Sequence, residues 1–149
     1  MEILEAHCEP EDLRLARDSY LQQCSRGAPS DDAIVSYSFA LINSSDKNEI
    51  RKGIAGFEKL LRQGDSPGKR REYVYFLSLG YARIGEFDMA MRFADALIAA
   101  EPENVQAKRL REAIAKKARR NGVIGAAIFG GGVAVAAAGV LTILALVKK

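Results

Sequence analysis

The sequence predicts an all-α protein, in which a six-helix bundle precedes one C-terminal transmembrane helix. Apolar residues recur at spacings of three and four along the first 115 residues, which is the period of an amphipathic helix. No segment shows the sustained alternation of apolar and polar residues that is typical of a half-buried strand. Near the C-terminus, residues 123–147 form a run of 25 residues without a charge.

Three helices are predicted in the first half of the chain. Pro10 suits the first turn of helix 1, and residues 26–29 end it. Ser30 is placed to cap helix 2, which is apolar on all sides and is broken by residues 43–46. Helix 3 has the clearest spacing of apolar residues and ends at a loop over 64–68.

Three more helices are predicted in the second half. Helix 4 runs from about Tyr73 to Ile84, and a tight turn at Gly85 leads into helix 5. Pro102 is expected to open helix 6, which continues into a basic stretch. We therefore divide the chain into an arm (1–9) that we expect to be mobile, a cytosolic helical domain (10–121), a transmembrane anchor (122–147) and a basic tail (148–149).

Residues 71–104 have the 34-residue spacing of a tetratricopeptide repeat. Small residues are expected to let its two helices cross closely, while large residues fill the space between them. With Arg71 as position 1, the matching residues are Leu77 at 7, Ser78 at 8, Tyr81 at 11, Gly85 at 15, Ala90 at 20 and Pro102 at 32. A degenerate copy lies 37 residues upstream. The prediction is two tandem repeats, with the first and sixth helices as caps.

Stacked repeats leave a concave groove that is lined by the first helix of each repeat. Such a groove suits a helical or extended peptide. The candidate partner-binding residues are Tyr37, Leu41, Tyr75, Leu79, Ala82 and Arg83.

The uncharged run is predicted to be a membrane anchor. A helix of 25 residues spans roughly 37 Å, which exceeds the bilayer core of about 30 Å. Its 12 Ile, Leu, Val and Phe residues supply roughly −4 to −7 kcal/mol of insertion free energy. The N-terminus shows no signal peptide, so we expect a tail-anchored protein with a cytosolic N-terminus.

Positive charge is concentrated beside this anchor. Residues 1–115 hold 16 basic and 19 acidic residues, a net charge of −3, which argues against nucleic acid as a partner. The basic residues next to the anchor favour a lipid bilayer instead, and we expect them to direct the chain to the mitochondrial outer membrane. They are Lys116, Lys117, Arg119, Arg120, Lys148 and Lys149.

Catalytic chemistry is not indicated. The chain has one histidine, His7, and two cysteines without metal-ligand spacing. The triple glycine 130–132 lacks the Lys-Ser/Thr of a phosphate loop. We expect a protein that is not an enzyme and carries no cofactor or metal. The sequence does not fix the oligomeric state, and a homo-oligomer is compatible with it.

Leu60, Gly64 and Asp65 match the core of a death motif in Bcl-2-type proteins, which are also all-α and tail-anchored. In that motif the helix continues past the aspartate, whereas Ser66, Pro67 and Gly68 should stop it here. Gly64 is better interpreted as a helix C-cap.

Several motifs resemble the mitochondrial fission 1 protein family over essentially the whole chain. They lie at residues 50–54 (IRKGI), 73–83 (YVYFLxxGxxR), 101–107 (EPxNxQA) and 122–131 (GxxGxAIxGG). In the second helix Phe39 stands where the family usually has tryptophan, and Asn43 stands where it has arginine. The loss of that cation leaves partner choice open at this end of the groove.

The resemblance implies an outer-membrane adaptor, on mitochondria and often peroxisomes, that recruits a dynamin-related GTPase or its adaptors for fission. It also implies that the arm can fold into the groove. Two alternatives stay open, a tail-anchored receptor or co-chaperone that docks cytosolic peptides, and a Bcl-2-like regulator.

Overall fold

The computed structural model describes residues 3–122, which form six α-helices and no strand. In chain order the helices are α1 (Pro10–Cys24), α2 (Asp31–Ile42), α3 (Lys47–Gln63), α4 (Pro67–Arg83), α5 (Phe87–Ala100) and α6 (Val105–Arg120). The six-helix prediction is confirmed. No helix within residues 3–122 is long and apolar enough to cross a membrane. The predicted anchor from 123 onward, with Lys148 and Lys149, lies outside the described residues.

Local sequence signals explain three of the helix ends. Pro10 is the first residue of α1, where its missing N–H costs nothing. The Ser30 hydroxyl accepts a hydrogen bond from the Ala33 N–H at 3.2 Å and so caps α2. α3 ends before Gly64, whose φ of 81° is accessible to glycine at little cost. These three predictions are confirmed.

Two predicted starts were wrong. α4 begins at Pro67, inside the segment that we predicted as a loop, because proline and the residues after it fit a first helical turn. α6 begins at Val105 rather than at Pro102. The Asn104 side chain accepts a hydrogen bond from the Ala107 N–H at 2.9 Å. This asparagine cap sets the start of α6 at Val105.

Consecutive helices pack against each other, and α4 also contacts α2 and α6. The pairs α2–α3 and α4–α5 are the two repeats, with α1 and α6 at the ends. A Cβ on Gly53 would lie 2.8 Å from the Ser38 carbonyl oxygen, so glycine is required where α3 crosses α2. In the second repeat, the Ser78 hydroxyl donates to the Ala90 carbonyl at 2.8 Å.

Gly85 forms the predicted tight turn, but it lacks the second role that its position in the repeat predicted. A Cβ there would meet no atom within 4 Å, and its φ is 87°. Gly85 therefore forms the turn between α4 and α5 and does not mediate a close helix crossing.

Candidate partner-binding groove

The six predicted groove residues do not form one surface. Tyr37 faces α1, because its hydroxyl accepts a hydrogen bond from Arg17 Nε at 3.3 Å and its ring lies 4.8 Å from that of Tyr20. Leu41 is buried and, with Tyr37, lines a cleft of about 280 Å³ between α1, α2 and α3. Both residues therefore line this cleft and do not share a surface with the four predicted residues on α4.

The other four predicted residues lie on α4. Tyr75 is half-buried, whereas Leu79, Ala82 and Arg83 are buried. Tyr75, Leu79 and Arg83 are spaced by four, so they share one face of the helix. This face lies between α2 and α6 and forms the floor of the groove.

α2 contributes Phe39 and Asn43 to the groove in place of the predicted pair. Phe39 is 45% exposed, and its ring centre lies 5.2 Å from that of Phe76 on α4. The Asn43 side chain accepts a hydrogen bond from Arg83 Nη1 at 3.2 Å. The apolar residues of α2 surround its axis, so the spacing alone could not show which side faces the groove. The aromatic at 39, four residues before a polar helix end, was the available signal.

One end of the groove is open. At the N-terminal ends of α4 and α6, a cavity of about 340 Å³ is lined by Tyr75, Phe76, Leu97 and Gln106. Arg71 and Glu101 form an ion pair at its edge, 3.1 Å apart. Burial raises the pKa of the Tyr75 phenol. This open end offers aromatic surface with a polar rim, the composition of a peptide-binding site.

The other end of the groove is covered by the N-terminal arm. Leu4 is 2% exposed and belongs to the same apolar cluster as Leu79. The Cys8 N–H donates to the Asn43 carbonyl at 2.8 Å, and Glu5 pairs with Arg120 on α6 at 3.1 Å. In this structure the arm therefore contacts α2, α4 and α6.

Arg83 holds the arm in place. Its Nη1 donates to the Ala6 carbonyl at 2.6 Å, and its Nη2 donates to the Ser44 carbonyl at 3.2 Å and contacts Nδ1 of His7. Burial lowers the pKa of this guanidinium. The C-terminal ends of α2 and α4 meet here, and their partial negative charges help to stabilise the cation.

Comparison with known proteins identifies the fold and the family. A family model described as the Fis1 C-terminal tetratricopeptide repeat matches residues 71–123. The chain is 42% identical over 147 residues to FIS1-related protein fis-2 of Caenorhabditis elegans, with 99% of this chain and 97% of the relative covered. It is 37% identical over 149 residues to mitochondrial fission 1 protein of Debaryomyces hansenii, with 100% and 93% covered.

The chain belongs to the mitochondrial fission 1 protein family. The fold agrees: the structure is similar to the crystal structure of yeast Fis1 in complex with an Mdv1 fragment, with a TM-score of 0.71 and 25% identity. That match covers 81% of this chain and 94% of the yeast chain. The tetratricopeptide-repeat prediction is confirmed.

Asn43, where the sequence was expected to depart from the family, has a structural role at the end of α2. An arginine at position 43 would bring a second cation to Arg83, whereas the Asn43 side chain accepts a hydrogen bond from it. Asn43 also donates to the Phe39 carbonyl at 2.9 Å and ends α2. Asn43 therefore helps to hold Arg83.

The predicted targeting residues that are described lie at the end of α6. Lys117 is half-buried, and Lys116, Arg119 and Arg120 are exposed. Basic residues in the last turn of a helix interact favourably with the helix dipole. These side chains also lie just before the predicted anchor.

The structure also bears on the death-motif match of Leu60, Gly64 and Asp65. α3 ends at Gln63, so the helix does not continue through Asp65 as that motif requires. The Asp65 carboxylate instead accepts a hydrogen bond from the Tyr73 hydroxyl at 2.9 Å.

Within residues 3–122 no group of His, Cys, Asp and Glu could hold a metal ion, and Cys8 and Cys24 are free thiols.

Proposed function

We propose that this chain is a membrane-tethered adaptor of mitochondrial fission that binds the fission machinery through the groove. The observation that carries the proposal is a half-open groove of tetratricopeptide type, with Phe39 and Tyr75 accessible at one end and the arm at the other. The yeast relative in complex with an Mdv1 fragment supports a partner of this class. The partner is a dynamin-related GTPase or one of its adaptors.

The proposed tether is the uncharged run at residues 123–147, which would hold the helical domain, residues 10–121, at the cytosolic face of the mitochondrial outer membrane. The lipid bilayer is then a second partner, contacted by the basic residues on both sides of the anchor. The same arrangement would serve peroxisomes if the anchor also reaches them. The proposal requires no homo-oligomer.

Removing the chain from cells tests the adaptor role. We expect an elongated mitochondrial network and fewer GTPase puncta on mitochondria, because recruitment would fail. Re-expression of the wild-type chain should restore both. An unchanged network with a normal number of puncta would contradict the proposal.

The targeting role is tested separately. Replacing Lys148 and Lys149 with serine leaves the anchor hydrophobic but removes the charge after it, so we expect the protein to move to the endoplasmic reticulum. Imaging a tagged copy against mitochondrial, peroxisomal and reticulum markers measures this. Fluorescence that stays on mitochondria would show that these lysines do not direct targeting.

A further inference from the structure

We propose that Arg83 is a carboxylate-recognition residue, and that the partner which replaces the arm presents an Asp or Glu side chain where His7 now lies. This inference rests on the proposed function, because it names the chemistry of the segment that the groove binds. The occupant is an acidic peptide segment of the fission machinery.

The first support is the absence of a counter-charge. Arg83 is 7% exposed, and its hydrogen-bond partners in the described part of the chain are all neutral. They are the carbonyl oxygens of Ala6 and Ser44, the side-chain oxygen of Asn43 and the ring nitrogen of His7. A buried cation is costly without an opposite charge, so this site would gain from a carboxylate.

The second support is the set of hydrogen-bond donors that Arg83 exposes when the arm lifts. When the arm lifts, Arg83 keeps Asn43 and Ser44 and loses the two acceptors that come from Ala6 and His7. Donor positions on both Nη atoms are then uncovered and point into the groove. A guanidinium in this state matches a carboxylate, since each of its N–H groups can form a charge-assisted hydrogen bond.

The third support is the charge of the surroundings. Lys116, Lys117 and Arg120 lie on the last turns of α6, and Arg120 pairs with Glu5 of the arm. The arm is itself acidic, with Glu2, Glu5 and Glu9 in its first nine residues. The covered end thus already accepts an acidic segment that is anchored by a buried leucine.

The position of the carboxylate follows from the arm. Leu4 is the buried anchor, and His7 reaches Arg83 three residues later. An aspartate oxygen is the same number of bonds from its Cα as His Nδ1, so Asp at position 7 can reach the same guanidinium. We expect a partner segment with an aliphatic residue three positions before Asp or Glu.

Cys8 provides a reporter of arm opening in the full-length chain. Its thiol is half-buried and donates to the Ala40 carbonyl at 3.4 Å, so a thiol reagent labels it mainly when the arm lifts. Cys24 is exposed and is replaced by serine. The chain is held in phosphatidylcholine nanodiscs, and each rate is divided by that of a free nonapeptide with the same substitution.

The first experiment compares His7→Asp with His7→Asn, which match in shape and differ in charge. We expect His7→Asp to slow Cys8 labelling about tenfold relative to His7→Asn, because only aspartate forms an ion pair with the buried Arg83. In an Arg83→Met background the ratio should fall below about twofold. Equal rates for the two variants, or a ratio that persists with Arg83→Met, would overturn the proposal.

Arg83→Lys is a second variant that keeps the proposal testable if Arg83→Met does not fold. It keeps the charge without the planar fork, so an intermediate ratio is expected. Arg120→Gln is the matched surface control, and it should change both variants equally because Glu5 is common to them. A ratio that disappears with Arg120→Gln would locate the effect at Arg120 and contradict the assignment.

The second experiment tests the partner directly. Amidated nonapeptides with the sequence of residues 1–9, carrying Cys8→Ser and either His7→Asp or His7→Asn, are added to the full-length chain. The Asp peptide should accelerate Cys8 labelling at about one tenth of the concentration that the Asn peptide needs. Equal potency, or no acceleration by either peptide, would refute carboxylate recognition. The proposed fission role is judged independently by the network imaging.

Discussion

The two ends of the groove differ in whether another part of the chain covers them. At the covered end, Leu4 is 2% exposed and Arg83 is 7% exposed, and hydrogen bonds from the arm complete the site. At the open end, about 12 Å away along α4, Tyr75 lines a cavity of about 340 Å³. Phe39, on the neighbouring α2, is 45% exposed.

This difference indicates an order of events on binding. A partner can contact the open end without breaking an interaction within the chain. The covered end can be reached only after the arm gives up its buried leucine and its hydrogen bonds. Contacts at the open end can therefore provide free energy that helps to displace the arm. Mutations at the two ends should then affect stability and binding in different proportions.

The largest expected effect is at the covered end. Arg83→Met removes the donors that join the arm to the end of α2, so we expect the free energy of unfolding to fall by about 2–3 kcal/mol. Urea denaturation followed by circular dichroism measures this. Arg83→Lys should recover part of the loss. A decrease below about 0.5 kcal/mol would show that Arg83 does not stabilise this end.

A smaller effect is expected from the arm anchor. Leu4→Ala removes a buried side chain, and about 2 kcal/mol of arm docking corresponds to roughly 30-fold faster labelling of Cys8. The adjacent Ile3 is 36% exposed, so Ile3→Ala is the matched control and should change the rate less than about threefold. If both substitutions act equally, burial of Leu4 does not hold the arm closed.

A mutation at the open end should weaken partner binding more than it reduces stability. Phe39→Ala gives up one exposed aromatic pair with Phe76, so we expect a stability loss of about 1 kcal/mol or less. Recovery of the fission machinery in pull-downs from cells should fall about tenfold, since exposed aromatics act as binding hot spots.

Leu15 on α1 is 54% exposed, and Leu15→Ala is the control outside the groove. It should leave both stability and pull-down unchanged. A Phe39→Ala chain that retains full binding would remove the open end from the interface.

Local signals explain how much of this fold was predictable. The period of the apolar residues located all six helices, and Ser30 and Gly64 marked helix ends through bonds and dihedral angles within a few residues. The orientation of α2 was not predictable, because its apolar residues surround the helix axis. Tyr37 was therefore placed in the groove, although it packs on α1.

The contacts at the covered end could not be predicted from the sequence, for a different reason. Arg83 and the Ala6 carbonyl are 77 residues apart, and no periodicity links positions at that separation. The sequence did identify Arg83 as a groove residue and Asn43 as a departure from the family. Only the fold shows that these two side chains bind each other.

The smallest expected effect is the pH dependence contributed by Tyr75 at the open end. Burial raises the pKa of its phenol above the ordinary value of 10.0, so the unfolded chain loses this proton at a lower pH than the folded chain. Above about pH 10 the folded state binds more protons, and its stability therefore falls as pH rises. Tyr75→Phe should reduce that fall.

Urea midpoints at about pH 8 and about pH 10.5 measure this effect, because the two conditions bracket the titration of the unfolded phenol. The pKa values of Tyr73 and Tyr81 are raised as well, by burial first and then by their carboxylate partners. A residual fall should therefore persist in Tyr75→Phe. Tyr81→Phe should show a larger change, because it also loses a hydrogen bond of 2.6 Å to Glu58. If Tyr75→Phe instead had the larger effect, the phenol at the open end would be less accessible to water than its place in the cavity implies.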